Sequence, residues 1–416
     1  MTSVREAMDE ILAGVVTLPA EEVPLLEAQD RVLAERVVSP LDLPARTNSA
    51  MDGYAVKGAD VRGASKQSPK RLRVIESVAA GQVPTRAVSA GEATRIFTGA
   101  PLPEGTDGVI RQEDTEAAEG EVAILDDRDA GRNFRLAGED LRKGAMVFEP
   151  GTVLAAAQLG VLASMAKSRV LVHRRARVAI LASGDEIADL DEAEAILAGR
   201  KTATSNSYTL HALVRDAGAI PVPLGIAKDT LASVREHLEK GVREADVVVS
   251  TAGVSVGEHD FVRDALAALG ATMEFWRVKM RPGSPLGFAH IGATPWIGLP
   301  GNPVSTMVCY ELFVRPAVRK MQGHRALFRR TVRVALEEPA RTPGRLTHVL
   351  RAIVRETPDG FVARLTGPQG SGILTSMARA NALLIVPEQR DDVLAGETLS
   401  AVLLGDAGAF VEKAPV

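Results

Sequence analysis

Val178-Ala179-Ile180-Leu181-Ala182-Ser183-Gly184-Asp185-Glu186 begins as an apolar, branched run and breaks into a small acidic segment. A run of that length, bounded by Gly and Asp, reads as a buried strand opening into a loop. The same change of texture repeats downstream. The spacing predicts strand Val178–Leu181, a helix around Asn206–Ala217, strand Ile220–Ile226 and a helix around Thr230–Arg243. It continues with strand Asp246–Ser250, helix Phe261–Leu269, strands near Met273–Val278 and Trp296–Leu299, and helix Val304–Met321. Apolar strands alternating with helices argue a mostly parallel sheet covered on both faces.

Upstream, Ser3-Val4-Arg5-Glu6 forms a capping box, and Val4, Met8, Ile11 and Leu12 recur at helical spacing. A helix therefore starts the chain, and a second short one is expected around Leu26–Leu33. Ser39-Pro40-Leu41-Asp42-Leu43-Pro44 cannot continue it, because proline fixes φ and lacks a donor. From about Arg46 to Glu139, short apolar runs (Arg71–Val78, Ala93–Thr98, Gly108–Arg111, Val122–Leu125) alternate with Gly, Pro and acidic turns. That pattern is a small β-rich domain. Helix Leu154–Ala166 is expected to pack against the first helices, which would make the β-rich domain an insertion. The chain ends in short strands with Pro/Gly turns. The expected fold is α/β plus β and multidomain. It has a discontinuous N-terminal helical domain (1–45 and 140–173), an inserted β-rich domain (46–139), a central mostly parallel α/β domain (174–323) and a C-terminal β domain (324–416).

A chain of 416 residues suffices for several such domains. The net charge of −4 disfavours a generally basic nucleic-acid binder, so no nucleic-acid partner is expected. The single cysteine, Cys309, excludes a disulfide framework, a Cys-based zinc site or a Cys-ligated iron–sulfur cluster within one chain. It lies in Met307-Val308-Cys309-Tyr310 and reads as a small buried hydrophobe. The N-terminus has no signal-like apolar stretch, and Thr152–Ala166 is short and interrupted by Gln158. A soluble, cytoplasmic protein with no membrane segment is expected.

Ligands of open α/β sheets bind beyond the carboxyl ends of the strands. The segments there are Ser183-Gly184-Asp185-Glu186, Lys228-Asp229, Thr251 to Asp260, and Pro300-Gly301-Asn302-Pro303-Val304-Ser305. Gly and Ser backbone donors suit an anion such as phosphate. Asp185, Glu186, Asp229 and Asp260 offer hard oxygens that suit Mg²⁺. Lys279 and Arg281 add positive charge. Together these suggest a nucleotide or phosphoanhydride substrate. Each piece has a plainer reading: an Asx turn at Ser183–Glu186, an N-cap at Asp229-Thr230, a rigid turn at Pro300–Pro303. There is no Walker-type Gly-Lys-Ser/Thr motif and no Gly-x-Gly-x-x-Gly, and the seven histidines lack metal-ligand spacing. Among them only His259 falls inside the Gly/Ser loop.

These residues, with Ser205-Asn206 and Gly253-Val254-Ser255-Val256-Gly257-Glu258, resemble the molybdopterin molybdenumtransferases, the family of the MoeA proteins and the gephyrin E domain. The resemblance extends to Asn48-Ser49-Ala50-Met51-Asp52-Gly53-Tyr54-Ala55, Arg95 to Pro101, Gly138-Glu139-Asp140, Gln369-Gly370-Ser371 and Ala380-Asn381. It covers nearly the whole chain. It implies a MoaB/Mog-like α/β domain, an elongated homodimer and an enzyme that converts adenylylated molybdopterin and molybdate to molybdenum cofactor and AMP. It also implies Mg²⁺ or a similar divalent cation, and allows a molybdopterin adenylyltransferase as partner. By resemblance, Arg281, Ser284, Ser305, Arg351 and Ser371 match molybdate-site positions. Asp229 and Asp260 match the metal side. Asp52, Asp140 and Glu186 join these two as candidate catalytic carboxylates. Thr98, Ser183, Gly184, Asp185, Gly253, Ser255, Gly257, Pro300, Asn302 and Pro303 are the candidate substrate-binding positions. Asp52 and Thr98 sit in the domain that, in the family, closes over the other subunit.

Two departures stand out. The family commonly has Lys-Pro-Gly-Lys-Pro where this chain has Arg281-Pro282-Gly283-Ser284-Pro285, so one charge is lost at Ser284. Lys279, two residues before Arg281 on a strand, is expected on the same face and able to compensate. Ala252 stands where the family has Gly, and a left-handed backbone there would strain it. An adenylyltransferase acting on molybdopterin and ATP, or a molybdopterin-binding scaffold without turnover, are the alternatives to an insertase.

Overall fold

The computed structural model describes residues 1–252 and 261–405. At its centre is a six-stranded sheet in the order Ile220–Ala227, Arg177–Ser183, Val247–Thr251, Thr294–Leu299, Gly287–Ile291, Thr272–Phe275. The first four strands run parallel, and the last two add antiparallel. Side chains alternate across it as the pleat demands. Val178, Ile180, Val247 and Val249 enter one core with Leu210, Val214 and Val304. Ala179, Leu181 and Val248 enter the other with Val234, Leu238, Val262 and Leu266. Helices Ser205–Asp216 and Pro303–Cys309 therefore lie on one face, and Leu231–Glu244 and Phe261–Ala268 on the other.

The expected helix Val304–Met321 is interrupted. Pro303–Cys309 is α, Tyr310–Val314 is a π turn, and Arg315–Met321 is α again. Pro316 explains the break: it has no N–H for the Leu312 carbonyl and its ring crowds that carbonyl, so the coil widens. The N–H of Arg315 accordingly reaches back to Tyr310.

The first helix forms as its capping box dictates. Ser3 Oγ accepts from the Glu6 N–H at 3.2 Å, and the Glu6 carboxylate accepts from the Ser3 N–H at 2.8 Å. Its buried stripe, Ala7 and Ile11, joins the core of the α/β domain. It does not pack on the later helix of the N-terminal domain, as periodicity alone suggested. The second expected helix is only a 3₁₀ turn, Leu25–Ala28. Around that turn, Ala20–Pro24 pairs with Arg169–His173 and Val37–Val38 with Met146–Phe148. Segments before and after the insertion are thus stitched together, with helix Ala156–Ser164 covering them.

The inserted domain is a six-stranded sheet, with Gly53–Val56 between Gly108–Arg111 and Glu92–Ile96. In the C-terminal domain, Thr347–Thr357, Gly360–Leu365, Thr331–Leu336, Thr398–Leu403 and Ala382–Val386 close into a barrel, because the first and last also pair. Closure leaves no free edge within the ring. One short strand from the α/β segment, Met280–Arg281, pairs in parallel with Thr347–His348 and ties the two domains together.

Candidate functional site

The parallel strands end where the acidic loops begin. Gly184 has φ of 137°, and a Cβ there would lie 2.5 Å from the Glu186 carboxylate, so only glycine lets that side chain fold back. Asp185 and Asp229 face each other across the strand ends. The Asp185 N–H donates to Asp229 Oδ2 at 3.1 Å, and the Asp229 N–H to Asp185 Oδ1 at 3.3 Å. Thr230, not Asp229, caps the next helix, accepting from the Ser233 N–H at 3.3 Å. The Asp229 carboxylate is therefore not consumed as a cap. Both aspartates are exposed and side by side, hard oxygen donors of the kind Mg²⁺ takes. Among the described residues no third His, Cys, Asp or Glu completes a metal-holding group. Lys201, which no motif singles out, donates its ammonium to the Asp185 carbonyl and brings a cation to this edge. Ser183 is buried at the strand end.

The turn at Pro300–Pro303 is held from below. The Asn206 side chain donates to the Gly301 carbonyl at 2.7 Å, and the Thr306 hydroxyl to the Pro300 carbonyl at 2.6 Å. Among the described residues the Asn206 Oδ1 is buried with no partner. Ala252 has φ of 69°, the left-handed conformation that made glycine the expected residue there. Its Cβ would lie 3.5 Å from one built on Gly301, so these two loops touch. Gly253, Ser255, Gly257, His259 and Asp260 lie outside the described residues.

From the turn, helix Pro303–Cys309 leads to the C-terminal domain. The Val304 N–H donates to the Ser371 carbonyl at 3.1 Å, which sets Ser371 beside buried Ser305. Further along this junction a cavity of about 480 Å³ is lined by Arg281, Pro282, Arg341, His348, Arg351 and Gly370, among others. Arg351 is fully buried. Its Nε donates to Ser376 Oγ at 3.1 Å and its Nη2 to the Gly370 carbonyl at 3.0 Å, both neutral acceptors. Among the described residues its Nη1 is buried with no partner, and burial pushes its pKa down to about 10. A buried guanidinium facing a cavity with no carboxylate among the described residues beside it is a site awaiting an anion. Burial, and then the charge of Arg281, also holds His348 below the usual histidine range.

Several selected residues do not join these clusters. Lys279 is exposed and is absent from the cavity wall, whereas Arg341 lines it. Ser284 takes part through its backbone, accepting from the Val278 and Leu286 N–H groups. Asp52 and Thr98 do meet each other: the Thr98 N–H and hydroxyl donate to Asp52 Oδ1 at 2.8 and 2.7 Å and hold that carboxyl below its usual range. Among the described residues, neither hydrogen-bonds to the α/β loops. Asp140 sits where the insertion rejoins the N-terminal domain, its N–H on the Leu43 carbonyl and its side chain exposed. Cys309 is fully buried, its Sγ 3.7 Å from the Gly283 carbonyl, and burial pushes its thiol pKa up.

Three family descriptions match the chain. They are the MoeA N-terminal region (domain I and II) over residues 2–166, the probable molybdopterin binding domain over 179–320, and the MoeA C-terminal region (domain IV) over 333–404. A molybdopterin molybdenumtransferase of Nostoc is 37% identical over 93% of this chain and 90% of the relative. Molybdopterin molybdenumtransferase 2 of Mycobacterium tuberculosis is 36% identical over 91% and 93%. The crystal structure of a molybdopterin biosynthesis moeA protein from Pyrococcus horikoshii superposes with a TM-score of 0.81 at 30% identity, covering 97% of this chain and all of that one.

Proposed function

Because this chain belongs to the molybdopterin molybdenumtransferase family, we propose that it inserts molybdenum into adenylylated molybdopterin, releasing molybdenum cofactor and AMP. The observation that carries the reading is Arg351, buried and, among the described residues, without a carboxylate partner on a cavity it shares with Arg281. Molybdate is a tetrahedral dianion, and two guanidinium groups with nearby hydroxyls suit it. Arg351 and Arg281 bind it; Ser305 and Ser371 flank the approach. The acidic edge has the complementary task. Asp185, Asp229 and the Pro300–Pro303 turn position the phosphoanhydride, with Lys201 offsetting part of its charge. Water then cleaves that anhydride to AMP and the pterin phosphate, and molybdenum bonds to the two dithiolene sulfurs as one molybdate oxygen leaves as water with the two thiol protons. Asp229, with Asp260 by family resemblance, would hold a divalent cation such as Mg²⁺, which supplies charge neutralisation at the phosphate oxygens.

The Asp52–Thr98 pair belongs to the same reading through a homodimer, in which the inserted domain of one subunit serves the α/β edge of the other. A molybdopterin adenylyltransferase is a fitting donor of the substrate. Among the described residues no helix is long and apolar enough to cross a membrane. The test is AMP release from adenylylated molybdopterin, with and without molybdate, by metal-depleted protein resupplied with Mg²⁺. Molybdate-dependent release that yields active cofactor is expected. Formation of the adenylate from ATP, or binding without release, contradicts the reading.

A further inference from the structure

A second cavity, of about 340 Å³, opens on the outer edge of the central sheet. Its walls include Ile180, Pro223 and Ile226 from two neighbouring strands, Tyr208 and His211 from helix Ser205–Asp216, and Asp189. It lies where that helix packs over strand Arg177–Ser183 and the edge strand beyond it. Val222 and Leu224 turn to the opposite core, while Pro223 and Gly225 stay exposed on the helix side.

The edge itself is closed to another strand. The Ile220 N–H bonds inward to the Ala176 carbonyl, so the next outward positions are Pro221 and Pro223, which have no donor to offer. Its mostly apolar wall is broken by Thr204, Ser207, Asp189 and His211, polar groups that an all-apolar ligand would leave unpaired. An aliphatic floor, an aromatic wall and one carboxylate suit a small flat ring. Asp189 Oδ1 accepts from the Tyr208 hydroxyl at 2.6 Å and the Leu190 N–H at 2.7 Å. Those donors fix the carboxylate in place and keep it ionised, with its second oxygen left for a ligand.

Three chain segments run directly from the cavity to the acidic edge. Asp189 follows Glu186 by three residues, Ile226 precedes Asp229 by three, and Ser207 adjoins Asn206, which holds the Gly301 carbonyl. We propose that this cavity seats a flat heteroaromatic ring of the substrate, whose aminopyrimidine edge donates N–H groups to Asp189. The assignment rests on the function proposed above. The adenylylated substrate carries two rings with that chemistry, the pterin and the adenine, and the probes separate them.

The experiment titrates the full-length protein with 6-hydroxymethylpterin and, separately, with AMP. It does so for the parent, Asp189→Asn and Tyr208→Ala, with KM for the adenylylated substrate measured on all three. Asn keeps an acceptor for the Tyr208 hydroxyl, and Tyr208 is half exposed, so both variants should fold; circular dichroism checks this. One probe should bind the parent and weaken about tenfold in each variant, with KM rising alike, as expected for a lost hydrogen bond to a charged group. The probe that responds identifies the ring. Parent-like binding of both probes with unchanged KM, or binding of neither probe to the parent, overturns the proposal. Molybdate-dependent AMP release by the parent is read in parallel, and its absence would count against the insertase reading instead.

Discussion

Arg315 and Arg351 are both buried, at 4% and 0% exposure, yet the chain treats them in opposite ways. Arg315 grips Glu311 with two hydrogen bonds, at 2.7 and 3.0 Å, and Asp216 with a third at 2.7 Å. Arg329 adds a further bond to Glu311 at 2.8 Å. Burial works against the Arg315 charge, but Glu311 outweighs it and holds the pKa above its ordinary value. Arg351 has only neutral acceptors and one idle nitrogen, and burial alone moves its pKa down. A charge buried with its partner is architecture. A charge buried without one, beside a cavity, costs free energy that only a ligand recovers.

That contrast can be broken experimentally. The largest effect is expected at Arg351→Gln, which should lower molybdate-dependent AMP release by about 1000-fold, the upper range for losing one oxyanion donor. Its melting temperature should stay near that of the parent. Arg315→Met should do the reverse. Glu311 would keep only Arg329, and denaturant unfolding should show a loss of about 3 kcal/mol, with molybdate affinity unchanged. Next comes Asp229→Ala, expected to reduce AMP release about 100-fold while sedimentation shows the same oligomer. Unchanged release there would remove the acidic edge from the account.

Smaller effects sharpen the picture. Ala252→Gly should relieve the left-handed backbone and raise stability by about 0.5–1 kcal/mol, read by thermal unfolding. His324, buried beside Arg319, has its pKa lowered from 6.5 to about 4, burial being the larger cause. The unfolded chain takes up its proton first as pH falls. Its stabilising contribution is therefore complete above pH 6.5 and is lost as pH drops from there toward about 4. His324→Gln should flatten that part of the stability–pH profile.

The α/β domain was legible because its strands and helices carry strong, different periods. The expected loops after each parallel strand do hold Asp185, Asp229 and the Pro300–Pro303 turn at one edge. Other features were hidden. The stripe of the first helix announced an apolar face but not which core would receive it. Gly53–Val56 was missed as a strand because it is buried along its whole length and shows no alternation. Barrel closure depends on pairing between strands far apart in sequence, which no local pattern records. Arg351 was named only by family resemblance. Nothing in its neighbourhood, Val349-Leu350-Arg351-Ala352, marks the arginine as unpaired. Arg341, His348 and Lys201 were missed for the same reason: their partners are set by tertiary placement, not by spacing.

The most direct measurement is a molybdate titration of AMP release by the parent, Arg351→Gln and Arg315→Met under identical conditions. The account predicts a saturable molybdate response in the parent and in Arg315→Met, and none in Arg351→Gln. A parent-like response in folded Arg351→Gln would contradict it, because the buried, unpartnered arginine would then not be where the oxyanion binds.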